Sequence, residues 1–142
     1  MKILVPVDGS PASIRAVKLA IDQVKTVLGA RLVIVNVQSL GTLGIADGAG
    51  IMPLAWIEQE EERAATDALQ EAVAACREAG VSYVTRSERG AVAATIDRLA
   101  REEQVAHIIM GTRGLGGVRS LLLGSVTTQL LHLAAAPVTL VK

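Results

Sequence analysis

A chain of 142 residues has the length of one domain, 1–142, and enough chain to bury a real core. Hydrophobic residues make up 51% of it, yet aromatics only 1% and Phe none, so the core must be Val, Ile, Leu and Ala. The 14 basic residues balance the 14 acidic ones, which leaves no polybasic surface and no aromatic platform for nucleic acid; no apolar run approaches the ~18 residues of a membrane span.

The run Ile3-Leu4-Val5-Pro6-Val7 is continuously apolar and predicts a strand buried on both faces, as in a parallel sheet. Pro6 lacks an N–H, so a local break in the ladder is expected there. Asp8-Gly9-Ser10-Pro11 follows, with Ser10 as N-cap and Pro11 as first helical residue. Ile14, Val17, Ile21, Val24 and Leu28 recur at helical spacing, and Gly29 closes the helix. This places Asp8 at the carboxyl end of a strand. Residues 31–37 (R-L-V-I-V-N-V) form a second strand, joined to the first by a right-handed crossover.

Residues 38–52 contain Gly41, Gly44, Gly48 and Gly50, with Asp47 as the sole charge, and read as a flexible loop. Residues 53–79 read as a long helix rich in Ala and Glu. Its apolar positions Leu54, Ile57, Ala65, Ala68, Leu69, Ala72 and Cys76 fit one face imperfectly, and Gly80 ends it. Residues 81–88 (V-S-Y-V-T-R-S-E) alternate like a half-exposed edge strand. A third helix spans 91–103 with Ile96, Leu99 and Ala100 inward. A strand at 107–110, a glycine loop, a helix at 126–135 capped by Ser125 and a last strand at 137–141 complete the chain. Five strands alternating with four helices predict an α/β fold, an open parallel sheet with helices on both faces.

The stretch from Met110 to Thr127 carries the chemistry. Between Gly111 and Gly124 fall five glycines and two arginines, Arg113 and Arg119, with no acid. Glycine permits close backbone approach to a ligand, and a helix start offers unpaired N–H groups and a partial positive charge. Strand, glycine loop and helix start together predict a phosphate cradle. Ligands in such sheets bind at strand carboxyl ends, where the strand order reverses. If the first and fourth strands are neighbours, Asp8 faces the glycine loop across one crevice. Its carboxylate then meets a ribose hydroxyl or a divalent cation. No G-x-x-x-x-G-K-[ST] occurs, and Gly114-Leu115-Gly116-Gly117-Val118-Arg119 ends in Arg where a dinucleotide fingerprint needs Gly.

The spacing Gly111-x-x-Gly114, nine residues, Gly124-Ser125 resembles the nucleotide-binding signature of the universal stress protein family. Ile3-Leu4-Val5-Pro6-Val7-Asp8-Gly9-Ser10 is similar to that family's first strand and turn. So are Ile108-Ile109-Met110-Gly111-Thr112-Arg113-Gly114, Leu121-Leu122-Leu123-Gly124-Ser125-Val126 and Pro137-Val138-Thr139-Leu140-Val141. The resemblance spans essentially the whole chain. It implies strand order 3-2-1-4-5, a homodimer made by pairing the last strands (Pro137 to Val141), and ATP bound with Mg²⁺ held through its phosphates. It implies adenosine contacts at Pro6, Val7 and Asp8, an adenine contact at the Val37 backbone, and a pocket wall at Met110. It further implies phosphate contacts at Gly111, Arg113, Gly114, Gly124, Ser125, Val126 and Thr127. Ala106, Ala136 and Val92 depart from the family's frequent Asp, Cys and Pro without touching that set.

Other residues have plainer readings. His107 and His132 sit in apolar contexts and are structural; Cys76 and Tyr83 are packing, and Trp56, just after the flexible loop, either covers the pocket or packs. One cysteine cannot form an internal disulfide, and the opening apolar run is too short for a signal peptide, so a soluble, cytoplasmic protein is expected. The helix at 126–135 has no formal charge apart from His132, which fits deep burial or a subunit contact. Functionally, an ATP-binding, dimeric stress-response regulator with slow or no hydrolysis comes first, with no catalytic residue and no protein metal ligand assigned. Two alternatives stand beside it: a nucleotide-free interaction dimer, and a hydrolase or transferase drawing an acid or base such as Asp47 from the loop at 38–52.

Overall fold

A computed structural model describes residues 1–39, 54–114 and 123–142, with the side chains of 54, 57, 58 and 61 outside that description. The expectations for Asp47 and most of the 38–52 loop therefore fall outside the described residues, as do Arg119 and the middle of the glycine loop. Among the described residues the elements run β1 (Lys2–Pro6), α1 (Pro11–Lys25), β2 (Arg31–Gln38), α2 (Leu54–Glu78), β3 (Tyr83–Arg89), α3 (Val92–Glu102), β4 (His107–Gly111), α4 (Ser125–Leu133) and β5 (Val138–Val141). The strands form one parallel sheet in the order β3-β2-β1-β4-β5. Fold, strand order and the edge position of β3 are as the sequence predicts.

The continuous apolar runs are explained by helices on both faces. Successive side chains of a strand point to opposite faces. Ile3 and Val5 of β1, with Leu32 and Ile34 of β2, face one layer, where Val17, Ile21 and Val24 of α1 and Ala68, Ala72 and Cys76 of α2 meet them. Leu4, Val33 and Val35 face the other, against Ile96 and Leu99 of α3 and Leu130 of α4. With no Phe, small residues let the helices sit close: Ala16, Ala20 and Ala72 are wholly buried.

Three local expectations are corrected. The ladder with β2 does not break at Pro6. Pro6 stands opposite Val35, and Val7 N–H donates to the Val35 carbonyl at 2.8 Å. Alternation is the reason. The Lys2 carbonyl accepts from Ala106 N–H, so even-numbered β1 residues turn their polar groups toward the β4 side. The donor that Pro6 lacks faces that side, where the register with β4 extends only through Ile3 and Leu4.

The first helix stops at Lys25 rather than reaching Gly29. Its last N–H groups turn back tightly, Thr26 to the Gln23 carbonyl and Val27 to that of Val24, and Leu28 stands fully in solvent at 104% exposure. Finally, Ser125 does not cap α4. Gly124 is the cap residue, with extended backbone (φ −72°, ψ 160°), and Ser125 is the first helical residue. The helix also ends early, at Leu133, where Ala134 turns extended and Ala135 N–H is taken by Asp97 Oδ1 at 3.2 Å.

Candidate functional site

β1 lies between β2 and β4, and the chain leaves β1 for α1 on one face of the sheet but leaves β4 for α4 on the other. The carboxyl ends of β1 and β4 therefore diverge, and a cavity of about 440 Å³ opens between them.

The turn after β1 holds its own geometry. Gly9 takes a left-handed conformation (φ +81°), which returns the chain toward α1. Ser10 N–H donates to Asp8 Oδ1 at 2.9 Å, and Ser10 Oγ accepts from Ser13 N–H at 3.2 Å as the cap of α1. Asp8 is thus fixed by its neighbour's main chain with Oδ2 turned to the glycine loop. A Cβ on Gly114 would lie 2.4 Å from that oxygen. Residues 106 positions apart are in direct contact, and a side chain at 114 would have to displace the carboxylate that fills its space.

The loop after β4 is anchored just as firmly. A Cβ on Gly111 would meet Ala12 Cβ at 2.8 Å and Ser13 N at 3.1 Å, so the first turn of α1 rests against the end of β4. Thr112 N–H donates to the Val141 carbonyl at 2.8 Å, and the Thr112 carbonyl accepts from Gly124 N–H at 2.8 Å. Thr127 is buried, and its hydroxyl lies 3.2 Å from the Gly111 carbonyl and 3.3 Å from that of Thr112. That side chain therefore ties α4 to the loop. What it offers the cavity is its main-chain N–H.

The start of α4 is the cavity's electropositive wall. The first turn contains no acid, and no side chain caps it. Its first intrahelical bond runs from Thr128 N–H to the Gly124 carbonyl at 3.0 Å, which leaves Ser125, Val126 and Thr127 N–H outside the helical ladder. Gly124 has room for a methyl group within the protein, its nearest neighbours being Arg113 Cα and the Thr112 carbonyl at 3.5 Å. Arg113 lines the same wall and is exposed, so its guanidinium is available to an anion.

All twelve residues expected at the site line this one cavity: Pro6, Val7, Asp8, Val37, Met110, Gly111, Arg113, Gly114, Gly124, Ser125, Val126 and Thr127. Six further described residues share it without having been singled out: Ser10, Ser13, Ser39, Val92, Ile96 and Leu123. Val37, Val92, Ile96 and Met110 give an apolar wall suited to a flat base. Asp8, Arg113 and the α4 amides give a polar one suited to a sugar and an anion. From sequence Ser10 reads as a cap and as a turn partner of Asp8, and it is both, with its hydroxyl also at the cavity. Val92 and Ile96 come from the start of α3, which nothing in the sequence aims at the crevice. Among the described residues no group of three or more His, Cys, Asp or Glu side chains could hold a metal ion.

The profile of the universal stress protein family matches residues 1–142. The chain is 30% identical over 146 residues to the universal stress protein YxiE of Bacillus subtilis, covering 99% of this chain and 98% of that protein. Among solved structures, the hypothetical protein MJ0577 superposes with a TM-score of 0.85 at 23% identity, covering 99% of this chain and 94% of that one. A universal stress protein in complex with cAMP gives 0.72 at 24% identity (100% and 97%). A family protein from Arabidopsis thaliana with AMP bound gives 0.71 at 18% identity (100% and 91%). No described helix is long and apolar enough to cross a membrane.

Proposed function

This chain belongs to the universal stress protein family, and from that premise we propose that it is an ATP-binding regulatory module that acts as a homodimer in a stress response and hydrolyses its ligand slowly or not at all. One observation carries the reading: Asp8 and the α4 amides that lie outside the helical ladder stand on facing walls of a single cavity, with Asp8 against Gly114. The adenine lies on the apolar wall near the Val37 main chain. The ribose hydroxyls meet Asp8. The phosphates lie on the glycine loop and the α4 start, beside Arg113. The two neighbours with AMP and cAMP support an adenylate as occupant.

Mg²⁺ would be held through phosphate oxygens. Slow or absent turnover is part of the same proposal for this lining. Among its described residues the ionisable side chains are Asp8 and Arg113, and Asp8 Oδ1 is already taken by Ser10 N–H. Among the described lining residues there is no histidine or lysine to activate water.

Dimerisation through β5 rests on the edge itself. Carbonyls of Pro137 and Val141 face β4, so by alternation Val138 and Leu140 turn their polar groups to the open edge. Beside it α4 has no Asp, Glu, Lys or Arg and exposes Leu131 (45%) and Leu133 (48%). Strand pairing about a two-fold axis would cover both.

The test is mass spectrometry of the nucleotide that co-purifies, followed by thermal melts with Mg-ATP, ADP, AMP and cAMP. At a hundredfold excess over Kd a site ligand adds about 2.7 kcal/mol, or roughly 10 °C in a domain of this size. No shift with any adenylate would refute the reading. Steady hydrolysis above ~1 s⁻¹ would favour an enzyme instead.

A further inference from the structure

We propose that Ser10 is a positioning residue for the nucleotide site: its hydroxyl fastens the turn after β1 to the loop after β4 and so sets the width of the crevice. The inference rests on the nucleotide reading above and adds a residue to it. Ser10 is 3% exposed and touches both sides of the cavity. Its N–H holds Asp8 Oδ1 at 2.9 Å. Its Oγ accepts from Ser13 N–H at 3.2 Å, and through its own hydrogen donates to the Arg113 carbonyl at 3.4 Å. Its carbonyl accepts from Ile14 N–H and Ser13 Oγ, which roots the residue in α1.

The geometry has two consequences. An N-cap needs only an acceptor, and the bond to Ser13 N–H meets that need. The donation to Arg113 is additional: it crosses 103 positions of sequence and ends on the residue that precedes Gly114. Asp8 Oδ2 presses on Gly114 from the same turn. One side of the crevice thus grips the other at two adjacent residues, by a hydrogen bond at 113 and by contact at 114. The bond is long at 3.4 Å, so the expected effect is a moderate loss of affinity rather than loss of the site.

Glycine is nearly as good an N-cap as serine but carries no hydroxyl. Ser10→Gly should therefore melt within a few degrees of the parent while binding Mg-ATP about tenfold more weakly, the size of one hydrogen bond. Ser10→Thr keeps cap and hydroxyl and should bind like the parent. Amide hydrogen exchange of the ligand-free protein gives a readout independent of nucleotide: Gly124 N–H, held by the Thr112 carbonyl at 2.8 Å next to the Arg113 bond, should exchange faster in Ser10→Gly and at the parental rate in Ser10→Thr. Ser10→Gly binding within twofold of the parent, with Gly124 exchange unchanged, would overturn the proposal. So would equal losses in the Gly and Thr variants. If the parent itself binds no adenylate, the proposed function fails, and the exchange comparison still decides whether the hydroxyl holds the loop.

Discussion

Replacing Gly114 by alanine is the sharpest test of how the two sides of the crevice meet. The backbone at 114 is not left-handed, so alanine adopts it without strain; the difficulty is confined to one neighbour. The new methyl would stand 2.4 Å from Asp8 Oδ2, and real contacts of this kind stay above 3.0 Å. The carboxylate must retreat by more than half an ångström. That stretches the 2.9 Å bond from Ser10 N–H and withdraws the group proposed to meet the ribose. A hydrogen bond to a charged group contributes about 1.5–3 kcal/mol, so Mg-ATP affinity should fall roughly 10- to 100-fold. Asp8→Ala should cost a similar amount. The informative comparison is the double variant. With Asp8 shortened, the methyl at 114 has space, so Gly114→Ala should add little to Asp8→Ala. Calorimetric titration of the parent, both single variants and the double gives the coupling directly. Additive losses, or parental binding by Gly114→Ala, would refute the argument that Asp8 and Gly114 act as one unit.

Gly111→Ala should act on stability instead. Its methyl would press on Ala12 Cβ at 2.8 Å and on α1 backbone at 3.0 Å, where little can give, so a loss of about 1–3 kcal/mol is expected in a chemical denaturation midpoint at unchanged slope. Cys76 is wholly buried, and burial pushes its thiol up to about 11. A disulfide reagent at pH 8 should leave the native protein unmodified and react at once on unfolding. Glu103 accepts from Arg86 at 2.7 Å and from Lys2 at 3.2 Å, and Arg86 first, then Lys2, hold its carboxyl below the usual glutamate range. Its folded value lies below its unfolded one, so its contribution is full above about pH 4.3, the unfolded value, and is lost as pH falls through the folded one. Thermal stability of the parent should therefore drop more steeply below about pH 4.3 than that of Glu103→Gln.

Much of this was legible in the sequence because the signals were local and mutually consistent. Runs such as Leu32 to Val35 have no polar alternation, and both faces are in fact covered by helices. Ser10 and Pro11 start α1 as their chemistry requires. Asp8 and the glycine loop meet because the strand order places β1 beside β4. The failures are equally physical. Leu28 continues the stripe of α1 by spacing, but the helix has already turned off at Thr26, a matter of main-chain geometry that spacing does not encode. Ser125 has the side chain of a cap, yet Gly124 supplies the extended backbone and leaves Ser125 inside the helix. Val92 and Ile96 reach the cavity only through the packing of α3, so no motif could point to them.

The central claim is that stretches a hundred residues apart enclose one adenylate. Amide chemical shifts during titration with Mg-ATP test it most directly. The expected result is a single dissociation constant shared by shifts at Asp8, Gly114, Ser125, Val126 and Thr127, with the far ends of the strands silent. Shifts confined to one side of the crevice, or lying elsewhere on the surface, would contradict it.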